Sequence, residues 1–271
     1  CGEPASDPSE APASEAPASE APASEAPSSE PIELTGIVNT DGSTSMNDVM
    51  LALIEGFKSV QPGVTVNYNG SGSGSGISGV LAGSCDLGLS SRALTDDEKA
   101  EGAVENVIAK DGVAVVVNPA NPVTELTTEQ IAKIFTGEIT NWSEVGGEDA
   151  EIAVFGRDSA SGTRSAFEEI LGIQDKCAYL NEYSSTGDVI GNVASNPNAI
   201  GYASLSAVDE SVAAVSVDGV APTEATVADG SFPIQRPFVI VTVEGTELSE
   251  AAQAFLDYAM SADVADIIAA A

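Results

Sequence analysis

From Ile32 onward, apolar runs of strand length alternate with helix-length segments, and Gly-rich turns separate them. The stretches 33–40 and 64–70 read as strands. Between them, residues 46–60 place Val49, Leu53 and Phe57 on one face at helical spacing. Residues 86–91 and 112–118 read as buried parallel strands, with an amphipathic helix over 127–137. A strand at 151–157, a helix from Ser161 to Leu171, strands at 199–206 and 237–243, and a helix over 249–271 complete the pattern. Strands that alternate with helices predict an α/β fold with parallel sheets covered on both faces, here in two lobes.

The segment before Ile32 cannot join that fold. Residues 11–30 read APASE APASE APASE APSSE, with no aromatic residue and no hydrophobic periodicity, so they cannot bury enough surface to order themselves. Regular Pro and repeated Glu favour an extended, disordered tether over residues 1–31. About 30 residues at full extension reach ~90 Å. A glycosylated, mucin-like stalk is the alternative. Cys1, followed by Gly2 and a polar acidic run, resembles the start of a mature bacterial lipoprotein. The expectation is a lipid on Cys1 that anchors the chain to the outer face of the cell membrane. Cys85 and Cys177 could pair in that compartment, and the sequence leaves the question open.

Charge and composition remove several kinds of function. The formal net charge is -33, from nine Lys and Arg against 42 Asp and Glu, which argues against nucleic acid or anionic lipid as a partner. The chain has no His, so Ser-His-Asp and Cys-His catalysis and imidazole metal ligation are excluded. No run of 18 apolar residues is present to cross a bilayer. Neither a cofactor nor a metal is expected.

Four segments share one design, in which a strand ends in Gly and small hydroxyl residues before a helix. They are 41–46 (DGSTSM), 70–77 (GSGSGSGI), 86–92 (DLGLSSR) and 156–164 (GRDSASGTR). Ligands of open α/β sheets sit beyond the carboxyl ends of strands, where helix N-termini offer free N–H groups and partial positive charge. Ser and Thr hydroxyls add donors, and Gly allows close approach. One such turn is as often a simple helix cap; four together describe a small-oxyanion site. The GSGSGSG run is no Walker A loop, because no Lys follows it. Arg157 is the candidate cation, its planar fork suited to an oxyanion, with a plain pairing to Asp158 as the alternative. Arg164 reads as an ion-pair or carbonyl-capping residue. Asp86 is assigned a selective role: a carboxylate in an anion site accepts the proton of hydrogen phosphate and repels sulfate, which has none. The competing reading is a turn-capping Asp.

These residues resemble the substrate-binding proteins of phosphate ABC importers, in the short Gram-positive lipoprotein form. The resemblance spans about 34–271 and is carried by GSTSM (42–46), YNGSGSGSGI (68–77), DLGLSSR (86–92), VNPANPV (117–123), IFTGEITNWSEVGG (134–147), GRDSASGTR (156–164), IGYASLS (200–206) and 219–238. It implies a type II periplasmic-binding-protein fold, two α/β lobes joined by two crossing strands. The lobes would comprise 32–112 with 206–271, and 113–205. It implies phosphate contacts at Thr44, Ser45, Ser73, Asp86, Arg157, Ser161, Gly162 and Thr163, with Ser90 as an additional one. Ser75 could stand in for Ser73 within the repeat. The implied role is non-enzymatic: a monomer captures inorganic phosphate and delivers it to membrane permease subunits. A receptor for sulfate or molybdate, a secreted phosphoesterase and a surface adhesin are the rival readings.

Overall fold

A computed structural model describes residues 33–269, and the chain from Glu33 onward forms one compact unit. The tether and Cys1 lie outside the described residues. The first lobe opens with β1 (Gly36–Gly42), α1 (Asn47–Val60), β2 (Val64–Gly70), α2 (Ser73–Leu81), β3 (Leu87–Ser90) and α3 (Asp96–Ala100). The long β4 (Ala103–Val117) leads into β5 (Glu125–Leu126), α4 (Thr128–Phe135), β6 (Ala153–Arg157), α5 (Gly162–Leu171), β7 (Asn181–Tyr183), α6 (Thr186–Ser195) and β8 (Ala199–Ser204). Short β9 (Ala213–Ala214), β10 (Ser216–Val217) and α7 (Glu224–Ala228) follow, and β11 (Gln235–Val243), α8 (Glu250–Met260) and α9 (Ala265–Ala269) close the fold.

The main sheet runs β2-β1-β3-β11-β4-β8-β6-β7, with β9 also on β4. β1 is parallel to β2 and β3, and β6 is parallel to β7 and β8. The two long strands connect these parallel blocks. Residues Ala103–Gly112 of β4 pair antiparallel with β11, and Val113–Val117 pair antiparallel with β8. β4 therefore passes from one lobe to the other between Gly112 and Val113. There Val113 N–H donates to Ile234 O at 2.8 Å, so the chain crosses back alongside it, where β11 begins.

Alternation along β4 explains why the second lobe is covered on two faces. Val113, Val115 and Val117 pack with Ile131, Phe135, Trp142, Phe167 and Tyr202, while Ala114 and Val116 pack with Phe155, Val189 and Val193. In the first lobe, Val38, Leu53, Phe57, Leu87, Leu89, Ile240 and Phe255 form one core. Ile77, Val80, Val239 and Val241 form another. The helical face of Val49, Leu53 and Phe57 is buried as its spacing requires.

Three sequence expectations are corrected. The return to the first lobe does not come at 206: Val215, Val217, Val227, Phe232 and Ile234 share the core of Val113 and Tyr202, so the return begins with β11. The strand expected at 112–118 starts nine residues earlier, because Val104 and Val107 leave its first half exposed and without an apolar run. The final helix is broken at Ser261, whose extended backbone (ψ 150°) ends α8 before the turn leading to α9. Cys85 and Cys177 are both free thiols.

Candidate functional site

The parallel strands of both lobes point their carboxyl ends at the same place, so the turns after β1, β2, β3 and β6 converge. Thr44 and Ser45 lie in a single 3-10 turn between β1 and α1, and Ser73 opens α2. Arg157 ends β6, Ser161 is the N-cap of α5, and Gly162 and Thr163 are its first two residues. Across the lobes, Ser45 Oγ lies 2.7 Å from Thr163 Oγ1 and 3.1 Å from Thr186 Oγ1. Thr44 Oγ1 lies 3.3 Å from Thr186 Oγ1. Gly74 N–H of the first lobe donates to Ala160 O of the second at 3.0 Å.

Arg157 is the cation of this cluster and is 1 % exposed. Nη1 donates to Thr186 Oγ1 at 3.1 Å, and Nη2 donates to Thr44 Oγ1 at 3.0 Å and Ser184 O at 2.9 Å. Nε donates to Tyr183 O at 3.1 Å. No carboxylate pairs with it among the described residues, so the pairing with Asp158 is not made; Asp158 accepts from Ala160 N–H instead. Burial pushes the guanidinium below its ordinary value, Tyr202 and Asp158 oppose that, and Arg236 adds to it. Arg164 pairs with Glu168 and Glu182 and caps Arg157 O at 2.9 Å, and Tyr202 Oη accepts from Arg157 N–H at 3.1 Å. The strand end that carries the cation is thus held from both sides.

Ser73 is fully buried and meets the N-terminus of α5: a Cβ on Gly162 would stand 2.2 Å from Ser73 Oγ, so only Gly fits there. Ser75, the alternative within the repeat, is exposed and points away from this buried contact. The repeat is no linker. A Cβ on Gly76 would stand 2.3 Å from Asp41 O, whereas one on Gly74 would find its nearest neighbour at 3.6 Å. Gly76→Ala is therefore expected to destabilise the fold by about 1–3 kcal/mol through overpacking. Gly74→Ala should stay within about 0.5 kcal/mol of the parent in urea unfolding.

Two expected contacts are not brought together with the rest. Asp86 precedes β3, where its carboxylate accepts from Asn39 N–H at 2.7 Å; at ~3.3 Å rise per residue it sits about 13 Å along the strand from Ser90. It caps a strand start, the competing reading of the sequence. Ser90 is buried, but its hydroxyl donates to Arg92 O and accepts from Arg92 N–H in its own turn. Two residues not foreseen take part. Ser91, 1 % exposed, donates its N–H to Ser73 Oγ at 3.1 Å, with the two hydroxyls 3.3 Å apart. Thr186, 3 % exposed, links Arg157, Thr44 and Ser45. Its signal was legible: Ser185 and Asp188 begin a helix whose Val189, Ile190 and Val193 recur at helical spacing.

A cavity of about 640 Å³ opens beside the cluster, with Thr44, Tyr68, Ser185, Thr186 and Asp209 in its wall. Burial, with Asp48 and Asp41 nearby, pushes the Tyr68 phenol up to about 12, so it is a neutral donor to Ser43 O. A larger cavity, about 830 Å³, lies beside the crossing strands and includes none of the cluster.

A buried cation and hydroxyls drawn from two lobes that meet over paired crossing strands define a bilobal binding protein. The family model described as a PBP superfamily domain accordingly matches residues 11–263. The phosphate-binding protein PstS of Borreliella burgdorferi is 31% identical over 86% of this chain and 87% of its own length. That of Bacillus subtilis is 34% identical over 85% and 77%. A Clostridium perfringens structure with bound phosphate, assigned to phosphate ABC transporter substrate-binding proteins, superposes with a TM-score of 0.82 at 42% identity, covering 86% of this chain and 96% of its own. A Vibrio cholerae ABC-type phosphate transport receptor does so with 0.71 at 34%, covering 86% and 97%. The chain belongs to the PstS family of phosphate-binding proteins.

Proposed function

We propose that this protein binds inorganic phosphate between its lobes on the outer side of the membrane and delivers it to an ABC import permease. The observation that carries this reading is Arg157: a guanidinium 1 % exposed, without a carboxylate partner among the described residues, set amid hydroxyls from both lobes. A buried charge needs a counter-charge. A tetrahedral anion supplies one and takes donors from Ser45 and Ser73 on one side and Ser161, Gly162 and Thr163 on the other. Because its contacts come from both lobes, the anion favours the closed arrangement, and separating the lobes at the crossing strands releases it. The relatives named for phosphate binding and transport support the same ligand.

No covalent step is proposed. The chain lacks His, and no cluster hydroxyl is hydrogen-bonded to a carboxylate or Lys among the described residues, so no nucleophile is activated. No described helix is long and apolar enough to cross a membrane. The tie to the membrane we propose is a lipid on Cys1, with the Pro/Ala/Ser/Glu repeat as tether; intact-mass measurement of membrane-extracted protein tests it, and an unacylated Cys1 would exclude it. The protein acts as a monomer in this scheme. Titration calorimetry with inorganic phosphate at pH 7 tests the central reading. One saturable site per chain and a ligand-dependent rise in melting temperature are expected, and no heat and no shift at millimolar phosphate would overturn it.

A further inference from the structure

We infer that Glu168, which stands outside the anion's reach, positions Arg157 for it: one Glu168 oxygen closes a ring of hydrogen bonds around the Arg157 backbone. This role rests on the reading of Arg157 as the cation that holds phosphate. Glu168 lies six residues down α5 from Gly162, about 9 Å at the helical rise. It acts through Arg157 and not on the ligand.

The strand end that carries Arg157 lacks a ladder on one side. β6 pairs with β8 only at Ala153 and Val154, and from Phe155 to Arg157 its strand neighbour is β7, three residues long. Asp158 N–H donates to Tyr183 O at 3.0 Å, toward β7, so the N–H and C=O of Arg157 face the opposite edge, where β8 no longer pairs with it. Buried peptide groups need partners, and here side chains supply them. Arg157 N–H donates to Tyr202 Oη at 3.1 Å, and Arg157 O accepts from Arg164 Nη1 at 2.9 Å.

Both partners lead to the same carboxylate oxygen. Arg164 Nε donates to Glu168 Oε1 at 2.8 Å, and Tyr179 Oη donates to it at 2.9 Å. The single Tyr179 proton is committed to Glu168, so Tyr202, whose Oη is 3.1 Å away, donates to Tyr179 Oη. Burial pushes both phenols above their ordinary value, which keeps each of them a donor. The circuit runs from Arg157 N–H through Tyr202 and Tyr179 to Glu168, and returns through Arg164 to Arg157 O. Glu168 is 5 % exposed and Tyr202 1 %, so water does not compete for their bonds. The Tyr179 ring lies against the residue before Arg157, since a Cβ on Gly156 would stand 2.3 Å from it. A strand end held by β7 alone would let the guanidinium drift, and charge-assisted hydrogen bonds depend on its planar fork staying aligned.

A double-mutant cycle read by phosphate calorimetry tests this, on the parent, Tyr179→Phe, Arg157→Met and the double variant. Tyr179→Phe keeps the ring against Gly156 and removes the hydroxyl that joins Tyr202 to Glu168. It is expected to lower phosphate affinity about tenfold with Arg157 present and by less than about twofold in the Arg157→Met background, where nothing is left to position. General damage to the fold would instead weaken binding equally in both backgrounds. Without ligand, the Arg157 amide should exchange its hydrogen about tenfold faster in Tyr179→Phe than in the parent, while the amides between β4 and β8 keep their rates. A folded Tyr179→Phe whose affinity stays within about twofold of the parent overturns the inference. So does an equal loss in both backgrounds, or unchanged exchange at Arg157. Should Tyr179→Phe not fold, Arg164→Lys serves in the same cycle with the same expected losses. Its ammonium keeps the charge beside Glu168 and Glu182 but cannot span Glu168 and Arg157 O as the fork does. Absence of phosphate binding to the parent defeats the phosphate-binding reading instead, and exchange at Arg157 then judges the ring alone.

Discussion

Replacing Arg157 by Met is expected to weaken phosphate binding by about thirtyfold to five-thousandfold. That range corresponds to the 2–5 kcal/mol typical of truncating one partner of a buried, hydrogen-bonded charge pair. The guanidinium has donors already aimed at Thr44 and Thr186, and its Nε and one Nη2 bond are held by Tyr183 O and Ser184 O, so its orientation is set before a ligand arrives. Two opposed effects act on the ligand-free protein. Removing an unpaired buried charge relieves desolvation, while Tyr183 O and Ser184 O lose a donor, each effect on the order of 1–3 kcal/mol. The melting temperature without phosphate should therefore move by only a few degrees, and the rise on adding phosphate should vanish. Arg157→Lys keeps the charge but loses the fork, and should fall between the two. Calorimetry and melting curves with and without phosphate check this, and a loss of affinity below fivefold in Arg157→Met would place Arg157 outside the site.

The parts of the fold that were legible in the sequence are those where burial is one-sided or complete. The Val49, Leu53 and Phe57 face of α1 and the continuous apolar run of Val113–Val117 each have a single reading as helix or strand. Illegible parts are those where context decides. The first half of β4 carries Glu105, Asn106 and Lys110 between apolar residues, and it is a strand because β11 supplies its ladder. Residues 213–217 are too short to announce themselves, yet they pair with β4 and β5 and keep the chain in the second lobe until β11.

The same distinction runs through the site. Hydroxyl and Gly residues at strand ends pointed to Thr44, Ser45, Ser73 and Ser161–Thr163, because a strand-to-helix turn has one open end. Asp86 was misplaced since direction along a strand matters: it precedes β3, and the open end of that strand belongs to Ser91. Its charge made it conspicuous, but charge says nothing about which end of a strand it occupies. Thr186 was missed although Ser184, Ser185, Thr186 and Gly187 repeat the same design between β7 and α6, because β7 is three residues long, with two of them exposed, and does not read as a strand.

Asp111→Ala is expected to destabilise the protein by about 3–5 kcal/mol, the cost of leaving a buried charge without its partner. Asp111 and Arg236 face each other in register on β4 and β11, beside the point where both strands cross between lobes, and they are 6 % and 4 % exposed. Arg236 Nε and Nη2 donate to Asp111 Oδ2 at 2.9 and 2.8 Å, and Ser204 Oγ donates to Oδ1 at 2.8 Å. Removing the carboxylate strands the guanidinium, and the melting temperature should fall by roughly 10 °C for a body of this size. The pair is not completely satisfied, because Arg236 Nη1 finds no partner among the described residues. An apolar pair of similar volume is then a fair replacement, and Asp111→Leu with Arg236→Met should recover most of the loss. What the double variant would not recover is the fixed register of the two crossing strands, since one carboxylate oxygen takes two donors from the opposite strand and the other takes the Ser204 hydroxyl from β8. Its stability should approach the parent's while its phosphate affinity stays lower, because lobes that hinge less uniquely close less often on the anion. Chemical denaturation and calorimetry on the three proteins separate the two effects, and a single Asp111→Ala variant within 1 kcal/mol of the parent would show that the pair holds nothing together.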